Sequence, residues 1–364
     1  MDDSFSVGQI ERATLKLLLN RGKTSKLRVG IGFNADLPVA EIVAHGRIAE
    51  MLGYDSFWMH EHSFGRDAVS YLQAASESTS RIRIGVACLN PYTRHPLALA
   101  MTMQTLQESS NGRAILGLGT GFPMRLDLLG IRHERPIAAL RETIEICRAV
   151  WRGDALTYEG ENYSLKNVKS LAGPVSKQIP IYIAGWKKKM LQLTGKIADG
   201  WVAKGGESTV SIRQIVGDIE SAAKSAGRKL EDIEVCAYLL TLVEKSGDEA
   251  LERARKDPFV VYMLSVQDDY LYEGTGIDPE KKKPIASNYF KGNLEEASKH
   301  VTDEMLESFT LVGTSDHICD RVRDFRRAGL NLPILQPMSL KPEDVKGVLD
   351  SGNILIGQDV AISD

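Results

Sequence analysis

Cysteine is scarce in this chain of 364 residues: Cys88, Cys147, Cys236 and Cys319 stand far apart with no CxxC pair. That spacing excludes a zinc knuckle and a disulfide framework, leaving each thiol as a small core or pocket residue. Long apolar runs are missing too, and residues 1–26 lack the apolar stretch of a secretory leader, so a cytoplasmic, non-membrane protein is expected. Nor is there an excess of one charge. Lys plus Arg number 45 and Asp plus Glu 48, so no global basic field exists to hold nucleic acid or an anionic membrane. A small-molecule partner fits better. With 43% hydrophobic and 26% charged residues, the composition is that of a globular chain with a large core.

What is present is an alternation of short apolar runs with amphipathic stretches. Strands are predicted at 28–33, 56–59, 82–87, 114–118, 179–184, 200–203, 233–243 and 332–335. Helices are predicted between them at about 38–52, 68–77, 96–108, 136–151, 188–198, 210–226, 248–265 and 315–328, with a last one after Pro342. Eight strands each leading to a helix close most naturally into a single (β/α)8 TIM barrel over 28–350. Residues 1–27 form an extension, with helical periodicity around Ile10, Leu15, Leu17 and Leu18, and 351–364 a C-terminal tail. Two insertions exceed a minimal barrel: a hairpin at 154–165 and a polar stretch at 267–300 that reads equally as a lid or a subunit contact.

Barrel chemistry gathers where strands end. Strand two ends in His60-Glu61-His62, a triplet that suits acid/base work or cofactor contact by Glu61 and His62, a structural pair, or, lacking further ligands, only poorly a metal. No metal is expected. Strand three ends at Cys88 with Asn90 close behind. Strand four ends in Gly119-Thr120-Gly121, which is either a tight turn or a place where backbone approaches a flat ring; with Phe122 next and no helix expected at once, a dinucleotide fingerprint is not formed. Strand five ends in Ala184-Gly185-Trp186-Lys187. A helix start rich in lysine is unusual, because helix N-termini favour anions, so it reads as an anion site or else a solvated face.

The stretches GIGF (30–33), LNPYTRHPLALAMTMQTLQESSNGRAILGLGTG (89–121), DLLGI (127–131), IPIYIAG (179–185), TGKIADGWV (194–202) and SFTLVGTSDHI (308–318) resemble the bacterial-luciferase-like superfamily of flavin and deazaflavin oxidoreductases. Within it the chain is most similar to the coenzyme F420-dependent methylenetetrahydromethanopterin reductases. The resemblance implies a cofactor ring in the barrel mouth, a non-proline cis peptide at Ala87-Cys88, and phosphate contacts at Ala184, Gly185 and Trp186. It implies hydride transfer between coenzyme F420 and a small organic substrate such as a methylene-tetrahydromethanopterin-type one-carbon carrier. Glu61-His62 is similar to the FMN-using branch, so an FMN-dependent monooxygenase is the alternative, and a non-catalytic flavin-binding barrel a third reading. Gly32 stands where the reductases carry a glutamate. Members are commonly homodimers or larger homo-oligomers.

Overall fold

A computed structural model of the chain describes residues 27–62 and 64–357; the predicted N-terminal periodicity lies outside them. Each barrel strand is apolar on both faces, as strands buried between a filled interior and a helical coat must be. In β2 (Ser56–His60), Phe57 and Met59 pack towards the helices, whereas Trp58 belongs to the interior cluster with Ile115, Tyr182, Val202, Cys236, Tyr238, Leu332 and Ile334. Every second residue of the strand therefore faces inward.

Eight parallel strands close the ring. β1 (Gly30–Asn34), β2, β3 (Arg83–Leu89) and β4 (Ala114–Leu118) pair in order, followed by β7 (Ile181–Ile183), β8 (Gly200–Ala203) and β9 (Glu234–Val243). β11 (Leu332–Pro337) fits between β9 and β1, with Ile334 opposite Tyr238 on one side and Gly30 on the other. The β3–β4 register shifts between Val86 and Leu89, and the Ala87–Cys88 peptide there is cis.

The predicted hairpin forms as β5 (Leu156–Glu159) and β6 (Ser164–Val168), reaching past 165. Glu142, fully buried in the helix Pro136–Arg152, ties it down by accepting the backbone N–H groups of Glu161, Asn162 and Tyr163. Three sequence expectations are corrected. The predicted helix over 248–265 is two, Gly247–Arg255 and Pro258–Val266, because Pro258 has no N–H to continue the first. A six-residue helix, Pro123–Leu128, does begin right after the glycine turn, again with proline at its first position. The last helix, Pro342–Gly357, runs through the boundary placed at 350, burying Leu355 and Ile356.

The polar stretch is not a bare loop. Short helices Lys282–Tyr289, Leu294–Ser298 and Asp303–Phe309 bury Ile285, Ala297, Met305 and Phe309 in a second core shared with Val260, Leu264 and Tyr272. This core rests on Leu240 and Leu242 of β9 and on β10 (Leu311–Gly313), an extra parallel strand alongside the end of β9. At the opposite end, the base of the barrel is closed by charge. Asp55 and Glu234 each receive both Arg28 and Arg83, and the Tyr182 hydroxyl donates to Glu234 at 2.5 Å. Among the described residues no helix is long and apolar enough to cross a membrane.

Candidate active site

Strand polarity sorts the predicted residues. Asn34, His60, Cys88, Gly119, Ala184 and Lys204 all lie at or just past C-terminal strand ends, so the mouth is assembled from the strands themselves and the first residues beyond them. On one side small side chains meet. A Cβ added to Gly119 would lie 3.2 Å from Cys88 Cβ, 3.4 Å from Ala184 Cβ and 3.5 Å from Cys88 Sγ. With Ala87 beside them, these residues make a shallow platform that any larger side chain would fill.

Asn90 braces the edge of that platform: Nδ2 donates to the Thr120 carbonyl at 2.9 Å and Oδ1 accepts Tyr92 N at 2.8 Å. Gly121, at φ +67°, takes a left-handed turn with the Asn90 amide against it. Asn90, Thr120 and Gly121 thus lock the loops after β3 and β4 together.

Next to the platform, Gly185 (φ +139°) turns the chain into the helix Lys188–Ile197, and its carbonyl accepts Trp201 Nε1 at 2.8 Å. No side chain caps this helix start. A cavity of about 390 Å³ opens there between Trp186, Lys187, Lys188, Gln214, Asp218, Asp268 and Tyr270. Trp186 Nε1 and the Tyr270 hydroxyl are buried without a hydrogen-bond partner. Two orphaned donors, two lysines and an uncapped helix N-terminus together suit a phosphate-bearing tail. The residues present therefore fit a cofactor with a flat ring on the platform and an anionic tail at Gly185, Trp186 and Lys187.

The triplet after β2 splits by strand alternation. His60 continues the inward face, stacking on Tyr238 with ring centroids 5.5 Å apart, and its Nδ1 lies 3.1 Å from Asn34 Oδ1. Burial, with the charges of Lys204, His62 and Arg125, holds the His60 imidazole well below its ordinary pKa, so it is neutral. Glu61 points the other way. One oxygen accepts Ala68 N at 3.0 Å and the other Arg94 Nη2 at 2.9 Å, while Arg94 also pairs with Asp67. His62 is exposed; partial burial and Arg125 lower its pKa.

The mouth holds three further groups to which the sequence reading gave no role. Lys204 lies just past β8 and has no hydrogen bond or ion pair among the described residues, yet its charge reaches Cys88, His60 and His62. Tyr238 lies wholly inside β9, its hydroxyl unpartnered and pushed well above its usual pKa by burial. Glu207, just past β8, is buried with an unpartnered Oε2, and burial raises its pKa to about 7. Period-two alternation through Ser56, Trp58 and His60 was the signal that could have singled out His60. Among the described residues no cluster of three or more His, Cys, Asp or Glu is placed to hold a metal.

A family model described as luciferase-like monooxygenase matches residues 21–332. The 5,10-methylenetetrahydromethanopterin reductase of Methanolobus tindarius is 31% identical over 334 residues, spanning 90% of this chain and 99% of that protein. Its namesake from Archaeoglobus fulgidus is 28% identical, spanning 92% and 98%. The solved structure of the coenzyme F420-dependent tetrahydromethanopterin reductase from Methanopyrus kandleri covers 92% of this chain and 99% of its own, with a TM-score of 0.82 at 28% identity. A barrel whose strand ends form a small-residue platform beside an uncapped helix start, matched over nearly its whole length, belongs to the luciferase-like monooxygenase family.

Proposed function

We propose that this chain is a coenzyme F420-dependent oxidoreductase that moves hydride between the deazaflavin ring and a small organic substrate. The observation that carries this reading is the buried, unpartnered Trp186 N–H at an uncapped helix start, set beside the platform of Ala87, Cys88, Gly119 and Ala184. The relatives named for this cofactor add their support.

The cofactor, when bound, supplies the two-electron chemistry. The chain's residues bind and orient it. Ala87, Cys88, Gly119 and Ala184 let the ring lie close to backbone, while Asn90, Thr120 and Gly121 keep the platform edge rigid. Gly185, Trp186 and Lys187 take the phosphate. Glu61 acts through Arg94 and the Ala68 amide, holding the loop after β2 so that His62 stands at the rim near the ring. On sequence similarity the first substrate to try is a methylene-tetrahydromethanopterin-type carrier. We infer a cytoplasmic enzyme; its assembly as a homodimer or larger homo-oligomer is supported by the exposed apolar Met124, Leu128 and Leu129 around the short helix.

Titration of the purified protein with the deazaflavin and with FMN, followed by fluorescence quenching, tests the reading. Tight deazaflavin binding with weak FMN binding is expected. Preference for FMN would replace it with an oxygen-activating monooxygenase, and binding of neither would leave a non-catalytic barrel.

A further inference from the structure

Two segments above the barrel reach each other across its mouth. Arg125 lies on the short helix Pro123–Leu128 after β4, and Tyr262 on the helix Pro258–Val266 in the insertion after β9. Arg125 Nη2 donates to the Tyr262 hydroxyl at 2.9 Å, over a sequence separation of 137. In the closed ring of strands, β7 and β8 stand between β4 and β9. The contact is therefore a chord over the mouth, with the ends of β7 and β8 on one side and those of β11, β1, β2 and β3 on the other. The platform and the tail cavity fall on either side of it. Ala87 and Cys88 belong to β3, whereas the cavity is walled by Trp186 and Lys188 after β7 and by Asp218 of the helix Thr209–Ser225 after β8. A ligand with its ring on Cys88 and its phosphate at Trp186 passes beneath the chord.

The two ends of the chord are built differently. Tyr262 is fixed: its ring centroid lies 6.3 Å from Phe259 and 5.8 Å from Tyr289, both of which pack on the second core. Arg125 is carried by a thinly anchored piece of chain. Of the six residues of its helix only Leu126 is buried. His133 Nε2 meets Asp127 Oδ1 at 2.9 Å, which closes the segment on itself. Left-handed residues flank it, Gly121 at φ +67° and Arg135 at φ +49°, and the Tyr92 hydroxyl, donating to the Glu134 carbonyl at 2.6 Å, holds its far end. Residues 122–133 thus form one piece between two sharp turns. The guanidinium itself has the Phe122 ring, 5.7 Å away, and the Tyr262 hydroxyl, but no carboxylate among the described residues. A neutral hydroxyl offers no opposite charge, so little attraction survives once the hydrogen bond stretches. This contact opens more readily than one like Arg94 with Glu61 and Asp67.

We propose that the Arg125–Tyr262 contact is a strap closing over the bound cofactor between ring and phosphate, so that residues 122–133 swing aside for it to enter or leave. The proposal rests on the deazaflavin reading above for the identity of the ligand. Any flat ring joined to a phosphate and bound at the same two places, FMN included, is enclosed in the same way. A gate is a barrier common to entry and exit, so removing it speeds both alike and leaves Kd where it was. A side chain that touches the ligand acts on the exit rate instead.

The test is stopped-flow fluorescence of deazaflavin binding to the full chain, with displacement by excess ligand giving the exit rate. In Tyr262→Phe, which removes only the hydroxyl, and in Arg125→Met, both rate constants are expected to rise about ten-fold, the worth of one hydrogen bond to a charged group, with Kd within about two-fold of the native value. The double variant should be no faster than either single one, because each breaks the same contact. Rates like the native ones would overturn the proposal, as would a faster exit alone with Kd weakened in proportion. If the native protein takes FMN and not the deazaflavin, the cofactor reading falls and the same rates measured with FMN decide the strap. Binding of neither overturns both.

Discussion

Arg83 of β3 and Glu234 of β9 meet across the base of the barrel, Nη1 donating to Oε2 at 3.0 Å over a sequence separation of 151. The same carboxylate takes Arg28 and the Tyr182 hydroxyl, so one side chain joins β3, β7, β9 and the segment before β1.

Glu234→Gln leaves two arginines sharing Asp55 in a half-buried setting, and is expected to cost about 2 kcal/mol. The urea midpoint should fall, while deazaflavin affinity stays unchanged because the base lies at the far end of the strands from the mouth. A lowered affinity in a folded Glu234→Gln protein would contradict that separation of roles.

The same cluster sets an acid limit. Burial drives the Asp55 and Glu234 carboxyls up, but the bonds and charges of Arg28 and Arg83 outweigh it, and both end below their ordinary values. Carboxyls lowered on folding stabilise the folded state fully above their unfolded values of about 4, and this is lost as pH falls through the folded ones. Urea midpoints from pH 7 down to pH 3 should therefore drop steeply at the acid end, and Glu234→Gln should flatten that drop.

Trp186→Phe removes a buried N–H that lacks a partner. Without cofactor its thermal midpoint should be unchanged or slightly higher, since no hydrogen bond is lost. Deazaflavin affinity should fall about ten-fold, the worth of one hydrogen bond to a charged group. Equal affinities in fluorescence titrations would remove Trp186 from the tail site.

Gly119→Val places branched carbons against Cys88 and Ala184, on the platform itself. Deazaflavin binding should weaken at least about ten-fold, whereas inorganic phosphate, tested as a competitor at the helix start, should bind as it does to the native protein. Loss of both would mean the substitution disturbs the whole mouth.

Much of the barrel could be read in advance because buried parallel strands carry unbroken apolar runs, and Ile82, Ile84 and Val86 or Ile181, Tyr182 and Ile183 are hard to mistake. The pieces that escaped are those whose burial depends on partners far along the chain. The helices within 267–300 are too short and polar to show a periodicity; they exist because Ile285 and Ala297 find Val260, Leu264 and Phe309. The site divides in the same way. Glycines and the lysine run at 187–189 advertise themselves locally, and the platform and tail pocket follow from them. Tyr238 and Lys204 matter through what other strands bring to them, and Glu61, a conspicuous carboxylate, is committed to Arg94 and a helix start that the spacing alone did not reveal.

The position of β11 between β9 and β1 also governs the order in which this molecule can be built. During synthesis, every strand up to β10 is made while the two neighbours of β11 still expose unpaired backbone edges. Only when Leu332–Pro337 emerges can it join the first strand to the ninth, a contact of very large sequence separation that closes slowly. A chain interrupted before that point is an open sheet with two adhesive borders, so its hazard is not low activity but self-association.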